Sequence, residues 1–398
     1  MTDNQAMTEI YERMFISCVE EDRISNLPEH LIDSILEWLR IEDVARTSII
    51  SKNWRYRWTT MRKLVFDKPF FKKILHKREL GRNGFLKLIN KILILHNGSI
   101  SEFYLYIPNM FLENYKIVDQ CMQLLSKKGV KELVLMNSNK RYNLSSHVFF
   151  CPELTKLELE NCFFKPPLEF QGFLNLKELY LHDIDFGPNM CGTRINLPQL
   201  EELYLLLCMN VYNFNINATK LLSLNVSYCP DAMLLRLLDS PSIIDLQISS
   251  QAPKKGLAPV ERTNLARMLS NLPIIELLDV DCDFFKYGIE EIIPKWLPHE
   301  VKSLKCLELQ DIQLGDMSQL HGVLCLLRNS PNVESLSMTL SDSKDPGVDE
   351  VRASNHLESP NCLDYTLNKL QNSEDNICNR IKTRNAFYKS STCSFPFS

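Results

Sequence analysis

From Val130 onward the apolar positions follow one phrase, Leu-x-x-Leu-x-Leu, closed by a cysteine or isoleucine three positions later. It reads Leu154, Leu157, Leu159 with Cys162, then Leu176, Leu179, Leu181 with Ile184. Further copies are Leu200, Leu203, Leu205 with Cys208, then Leu221, Leu224, Val226 with Cys229, and finally Ile243, Leu246 and Ile248. These five start 22, 24, 21 and 22 residues apart. Weaker copies begin at Val130, Ile275, Leu304 and Val333, and the later gaps widen to 32, 29 and 29 residues. Inside each copy the period is two. In Leu157–Glu158–Leu159 both leucines therefore share one face of a short strand and Glu158 takes the other. The wider gaps leave room for helical returns. Tyr115 to Lys128 is predicted to be one, with Ile117, Cys121, Leu124 and Leu125 on one stripe and Gly129 just past its end. Val323, Leu324, Leu326 and Leu327 repeat the arrangement before Pro331.

A period of roughly 20–29 residues with this phrase is the signature of a leucine-rich-repeat solenoid. The expected fold is α/β over residues 130–341, a parallel sheet with a concave face and a helical or irregular convex side. The strand residues that point away from the leucine layer form a column, Glu158, Tyr180, Tyr204, Asn225, Gln247, Asp279, Glu308 and Ser337. Glu160, Glu178, His182, Glu202 and Asp245 flank it. Acids beside two adjacent tyrosines suit a basic or mixed protein surface, so the column through Glu308 is the candidate substrate contact. Cys162, Cys208 and Cys229 share one repeat position and are expected to fill space. No histidine joins them, and no histidine pair stands at metal-ligand spacing.

The texture before the repeats differs. Leu31, Ile32, Ile35, Leu36 and Leu39 recur at helical spacing, with Ser25 or Asn26 as a cap and Pro28 near the first turn. A second short helix is expected over Ile41–Ile50, its acids at the favourable N-terminal end, and a third over Ser51–Trp58. About 45 residues cannot bury this much apolar surface alone, so the remainder asks for a partner.

Leu27-Pro28, Leu31-Ile32, Ile35-Leu36, Val44-Ala45-Arg46, Ser48, Ser51, Trp54 and Trp58 resemble the F-box motif over residues 22–67. A three-helix F-box followed by a leucine-rich solenoid resembles the plant F-box/LRR proteins, especially the F-box/FBD/LRR group. That resemblance implies the substrate-recognition subunit of an SCF-type cullin–RING ubiquitin ligase. The F-box would dock on a Skp-type adaptor, and through it on a cullin scaffold, while the solenoid holds an unknown protein substrate. By position, Leu27 and Pro28 would begin the adaptor-facing surface. Leu31, Ile32, Ile35 and Val44 would supply apolar contacts, with Trp54 and Trp58 bracing the third helix. Residues 68–129 are expected to be a basic helical connection with the first divergent repeats. The resemblance weakens at the C-terminus, where His356–Leu363 reads as the start of a truncated FBD-like block. Residues 342–398 are expected to be a charged linker and a mostly disordered tail, and residues 1–21 a disordered tail.

Composition narrows the classes. The chain has 61 leucines but only 12 glycines in 398 residues, which argues against a fold built on glycine-rich phosphate loops. No G-x-x-x-x-G-K-[ST], no Ser/His/Asp set and no metal-ligand cluster is found, so neither catalysis nor a cofactor is expected. No apolar run approaches the ~20 residues of a bilayer span, and no secretory signal is evident at the start. Thirteen cysteines without a C-x-x-C pair then read as reduced thiols of the cytoplasm or nucleus. Between Lys52 and Lys91 lie 13 Lys or Arg and two acids, a local charge of +11 against −4 for the whole chain. With no nucleic-acid motif beside it, this stretch reads as a solvated helix face. The alternative function is an LRR interaction scaffold that recruits no ligase.

Overall fold

The structure, a computed structural model, describes residues 27–341 apart from 48, 50–53, 55, 78–83, 110–114, 188–193, 230–239, 251–263, 290–292 and 314–315. The two expected tails and the FBD-like stretch lie outside the described residues. The chain divides into two compact units, one running to Leu105 and including Lys116–Lys131, the other taking Tyr106–Tyr115 and everything from Glu132 onward.

The first unit opens with α1 (Glu29–Glu37) and α2 (Ile41–Thr47). Pro28 itself is the residue that starts α1, its carbonyl accepting from Leu31 N (3.0 Å) and Ile32 N (3.2 Å). Its missing N–H costs nothing there. A 3-10 turn, Arg57–Thr60, stands at the end of the expected third helix, much of which lies outside the described residues. Strand β1 (Lys63–Phe66) pairs in parallel with β2 (Glu102–Ile107), and helices α3 (Lys68–Lys77), α4 (Gly84–Leu95) and α5 (Lys116–Leu125) complete the unit. Asp67 starts α3 by accepting Phe70 N at 2.8 Å, and its carboxylate is also paired with Arg40. The core is aromatic at this point, with Phe66 edge-on to Phe70 and Phe103 at 5.3 and 5.8 Å between centroids. In α5 the buried stripe is Val118, Cys121, Met122 and Leu125, rotated by about a residue from the expected one. Ile117 and Leu124 flank it at the half-buried edge. Gly129 takes φ 69°, the left-handed conformation expected after the helix. Of the basic stretch, Arg57 pairs with Glu29 (2.7 Å), Lys63 with Glu102 (2.5 Å) and Lys73 with Glu42 (3.0 Å). Arg62, Lys68, Lys72, Lys87 and Lys91 are exposed to solvent.

The second unit is the repeat array. Its strands are β3 (Glu132–Asn137), β4 (Lys156–Glu160), β5 (Glu178–His182), β6 (Glu202–Leu206), β7 (Ser223–Ser227), β8 (Asp245–Ser249), β9 (Leu277–Asp281), β10 (Cys306–Ile312) and β11 (Ser335–Leu340). Each is parallel to the next, in chain order. Leu133, Leu157, Leu179, Leu203, Leu224, Leu246, Leu278 and Leu307 stand side by side and are all buried. After each early strand the chain bends through a left-handed residue: Asn161, Asp183, Leu207 and Tyr228, with φ between 51° and 55°. The bend aims each N–H at the next repeat, as in Asn161 N to His182 O (2.9 Å) and Tyr228 N to Ser249 O (2.7 Å). Leucine and tyrosine tolerate this conformation poorly, so the bends are held by the ladder around them.

The cysteine column follows the bends. Cys162, Cys208 and Cys229 are buried, and the Cys208 thiol lies 3.3 Å from Leu181 O. Burial pushes the Cys162 thiol above its ordinary range. Outside the sheet the returns are short 3-10 turns at Ser146–Phe150 and Val211–Asn213, packed through Phe149, Phe164, Phe186 and Phe214. Among the described residues the later returns hold helices, α6 (Leu265–Ser270) and α7 (Met317–Asn329). Asn264 caps α6 through Arg267 N (3.1 Å), and Asp316 caps α7 through Ser318 N (2.9 Å). A Cβ on Gly322 of α7 would lie 2.1 Å from the Phe285 ring, so only glycine allows that approach.

Candidate functional site

Two surfaces are candidates, one on each unit. The first is a face of α1. A helix of 3.6 residues per turn puts Leu31, Ile35 and Trp38 along one line and Ile32 and Leu36 along another. The second line goes inward, with Ile32, Leu36, Val44 and Trp54 all buried. Ile32, Val44 and Trp54, expected to serve the adaptor surface, are thus core residues of their own module. The reason is size: two short helices have no other apolar layer to close on. The first line stays out, Leu31 and Ile35 each 42% exposed and Trp38 90% exposed. Leu39, Ile49 and Tyr56 are exposed as well. Leu27 and Trp58 are half-buried and Pro28 is exposed. Trp38 was missed by sequence reasoning, although its spacing of seven from Leu31 was legible.

The second surface is the sheet face opposite the leucine layer. Register places Glu158, Tyr180, Tyr204, Asn225, Gln247, Asp279, Glu308 and Ser337 in one continuous row. The row is knitted by its neighbours. Asn225 Nδ2 donates to Gln247 Oε1 (2.9 Å), Ser227 Oγ donates to Asn225 Oδ1 (2.7 Å), and Gln310 Nε2 donates to both Asp279 oxygens (2.7 and 2.9 Å). The Tyr180 hydroxyl donates to Glu202, and the Tyr180 and Tyr204 rings are 6.3 Å apart. This packing covers some of the row: Tyr180 and Asp279 are buried, whereas Tyr204, Asn225, Gln247, Glu158 and Glu308 are half-exposed. Asp245, expected on the open flank, is buried and accepts from Ser223 Oγ (3.2 Å) and Gln247 Nε2 (3.2 Å). Its neighbours fold over it because its carboxylate offers them acceptors.

Burial raises the Glu158 and Glu202 carboxyl groups, with Lys156 pulling down and Glu178 pushing up in each. At the far end Asp281 is pushed up to about 6, first by burial and then by Asp283 and Asp279, against backbone donors from Ser250 and Phe284. Tyr228 is raised by burial and by the charges of Asp281, Asp311 and Asp283, which gathers these groups at one end of the strands. His182, lowered by burial, lies 3.8 Å from Glu160. Among the described residues no group of three or more His, Cys, Asp or Glu could hold a metal ion, and no helix is long and apolar enough to cross a membrane.

A helical module with an exposed apolar line, together with a parallel array of leucine-rich repeats, defines a leucine-rich-repeat protein with a short helical module ahead of the array. Comparison with known proteins sharpens the class. Residues 24–66 match the F-box domain, and residues 118–338 match the family described as "FBD-associated F-box protein At5g56370, LRR repeats". The F-box/FBD/LRR-repeat protein At1g13570 of Arabidopsis thaliana is 31% identical over 323 residues, covering 80% of this chain and 76% of that protein. The F-box/FBD/LRR-repeat protein At2g04230 of the same plant is 25% identical over 382 residues, 88% of this chain and 82% of the relative. The putative F-box/FBD/LRR-repeat protein At4g13965 of Arabidopsis thaliana is 27% identical over 239 residues; the match spans 58% of this chain and about half of that relative (54%). The chain belongs to the F-box/FBD/LRR-repeat family.

Proposed function

We propose that this protein is the substrate-recognition subunit of an SCF-type cullin–RING ubiquitin ligase, acting as a non-catalytic receptor. The observation that carries the reading is the exposed apolar line Leu31 and Ile35 of α1 with Trp38 at its C-cap, within the F-box. Large aromatic and aliphatic side chains left in water on a short helix cost free energy until a partner covers them. A Skp-type adaptor is the partner that F-box membership suggests, with a cullin scaffold beyond it. On the other unit, the Glu158–Glu308 row is the proposed contact for the protein to be ubiquitinated. The receptor's contribution is proximity: it raises the effective concentration of a substrate lysine near the charged conjugating enzyme.

The test is capture of the full chain by a purified Skp-type adaptor. Wild type should bind, and Leu31→Asp with Ile35→Asp should abolish binding while circular dichroism and melting stay unchanged. Failure of the wild type to bind would leave the scaffold reading, in which the repeats hold partners but recruit no ligase.

A further inference from the structure

The sheet face has a charge pattern that narrows what can lie on it. Among the described residues of β3 to β6 it carries Glu132, Glu158, Glu160, Glu178 and Glu202 against one lysine, Lys156. That lysine shows how the face treats a cation. Its ammonium stands 5.4 Å from the centre of the Tyr180 ring and 3.2 Å from Glu178 Oε2. A cation over an aromatic face with a carboxylate beside it is a favourable, partly desolvated arrangement.

Register repeats the positions one strand further on. Lys156 stands opposite Glu178, and Tyr180 stands opposite Tyr204. By register Glu178 is therefore to Tyr204 what Lys156 is to Tyr180, so acids, Glu178 and Glu202, hold the places beside the second tyrosine. Glu178 is paired with Lys156 and Glu202 accepts the Tyr180 hydroxyl, while the Tyr204 hydroxyl lies toward Tyr228, Cys208 and Cys229. Glu158 adds a half-buried carboxylate that accepts no hydrogen bond among the described residues; burial disfavours its charge, Lys156 favours it and Glu178 opposes it. The carboxylates come one or two to a strand, with strands ~4.8 Å apart, so they suit an extended chain of cations better than a single metal ion. A nucleic acid, a phosphorylated segment or an acidic protein would be repelled by the same pattern.

Resting on the proposed role of this face in substrate binding, we propose that the target segment is basic. One of its lysine or arginine side chains lies over the Tyr204 ring between Glu178 and Glu202, beside the place Lys156 takes over Tyr180. The remainder of the segment follows the row toward Asn225 and Gln247.

The experiment uses the full chain with two probes, a fluorescein-labelled (Lys-Ser)5 peptide and its (Glu-Ser)5 counterpart, read by anisotropy. The basic peptide is expected to bind and to weaken steeply with salt. Tyr204→Ala, and separately Glu178→Gln with Glu202→Gln, should each weaken it about tenfold. Equal affinity for both peptides, or basic-peptide binding indifferent to these variants, overturns the proposal. A second arm separates it from the reading beneath it. The chain carrying Asn225→benzoylphenylalanine is photo-crosslinked in plant cells with the proteasome blocked. Adducts that (Lys-Ser)5 suppresses and (Glu-Ser)5 does not support the proposal. Adducts that neither peptide suppresses overturn the basic segment and leave the face as a docking surface. Absence of adducts, or adducts only with a second copy of this chain, overturns both.

Discussion

The two candidate surfaces solve opposite problems. On α1 the apolar line Leu31, Ile35 and Trp38 is left in water, and the same helix's Ile32 and Leu36 make the core. On the repeat sheet many of the outward residues are polar and pair with one another, as Asn225, Gln247 and Ser227 do. A dry apolar line gains free energy from any partner of matching shape and is weakly sensitive to salt. A ladder of paired polar groups gains little from area. It discriminates, because a wrong partner leaves acids and amides unpaired. The first design suits one constant partner and the second a chosen one.

The comparison can be broken first at α1. Leu31→Asp with Ile35→Asp should weaken adaptor capture on the order of 100-fold or more, with the melting temperature unmoved. If the melt drops instead, the line belongs to the core and the distinction fails. Its buried counterpart should behave in reverse. Ile32→Ala is expected to cost about 2–4 kcal/mol of stability in chemical denaturation, and adaptor binding should fall only with the folded fraction. On the other unit, Gly322→Ala forces a methyl group into the Phe285 ring and should cost about 1–3 kcal/mol, read by the same method, with adaptor capture unchanged.

The last effect is a pH dependence. Asp281 has its carboxyl raised from an ordinary 3.8 to about 6. In that window the folded chain holds more protons than the unfolded one, so stability falls as pH rises from about 4 to 6. Asp281→Asn keeps the acceptor for Ser250 N and Phe284 N but removes the charge. It should be more stable than wild type by roughly 1–3 kcal/mol at pH 7.5, a gain that vanishes near pH 4. Denaturation at both pH values checks it, and an unchanged difference would mean that the carboxylate is well solvated.

Much of the repeat array was legible because a strand's period is two. Once Leu157 and Leu159 face inward, Glu158 faces outward, and parallel stacking of identical phrases sets the row without further information. Even the left-handed bends lie at a constant place in the phrase, although Leu207 and Tyr228 give no hint of it by residue type. The returns were less legible. Among the described residues two of the shorter gaps hold 3-10 turns, at Ser146–Phe150 and Val211–Asn213, and helices stand in wider ones, and α5 turned by about a residue because its neighbours, rather than its own stripe, decide which side is covered.

By itself, then, the order of residues determined the repeat and the register of its strands, and its resemblance to the F-box motif marked the module ahead of them. The first two follow from local spacing that each segment carries within itself. Only the tertiary structure decided which of α1's two apolar lines is covered, and that Asp245 is buried while Tyr204 is half-exposed. Those are questions of which surface another element covers, and burial is settled by distant parts of the chain that no local pattern encodes.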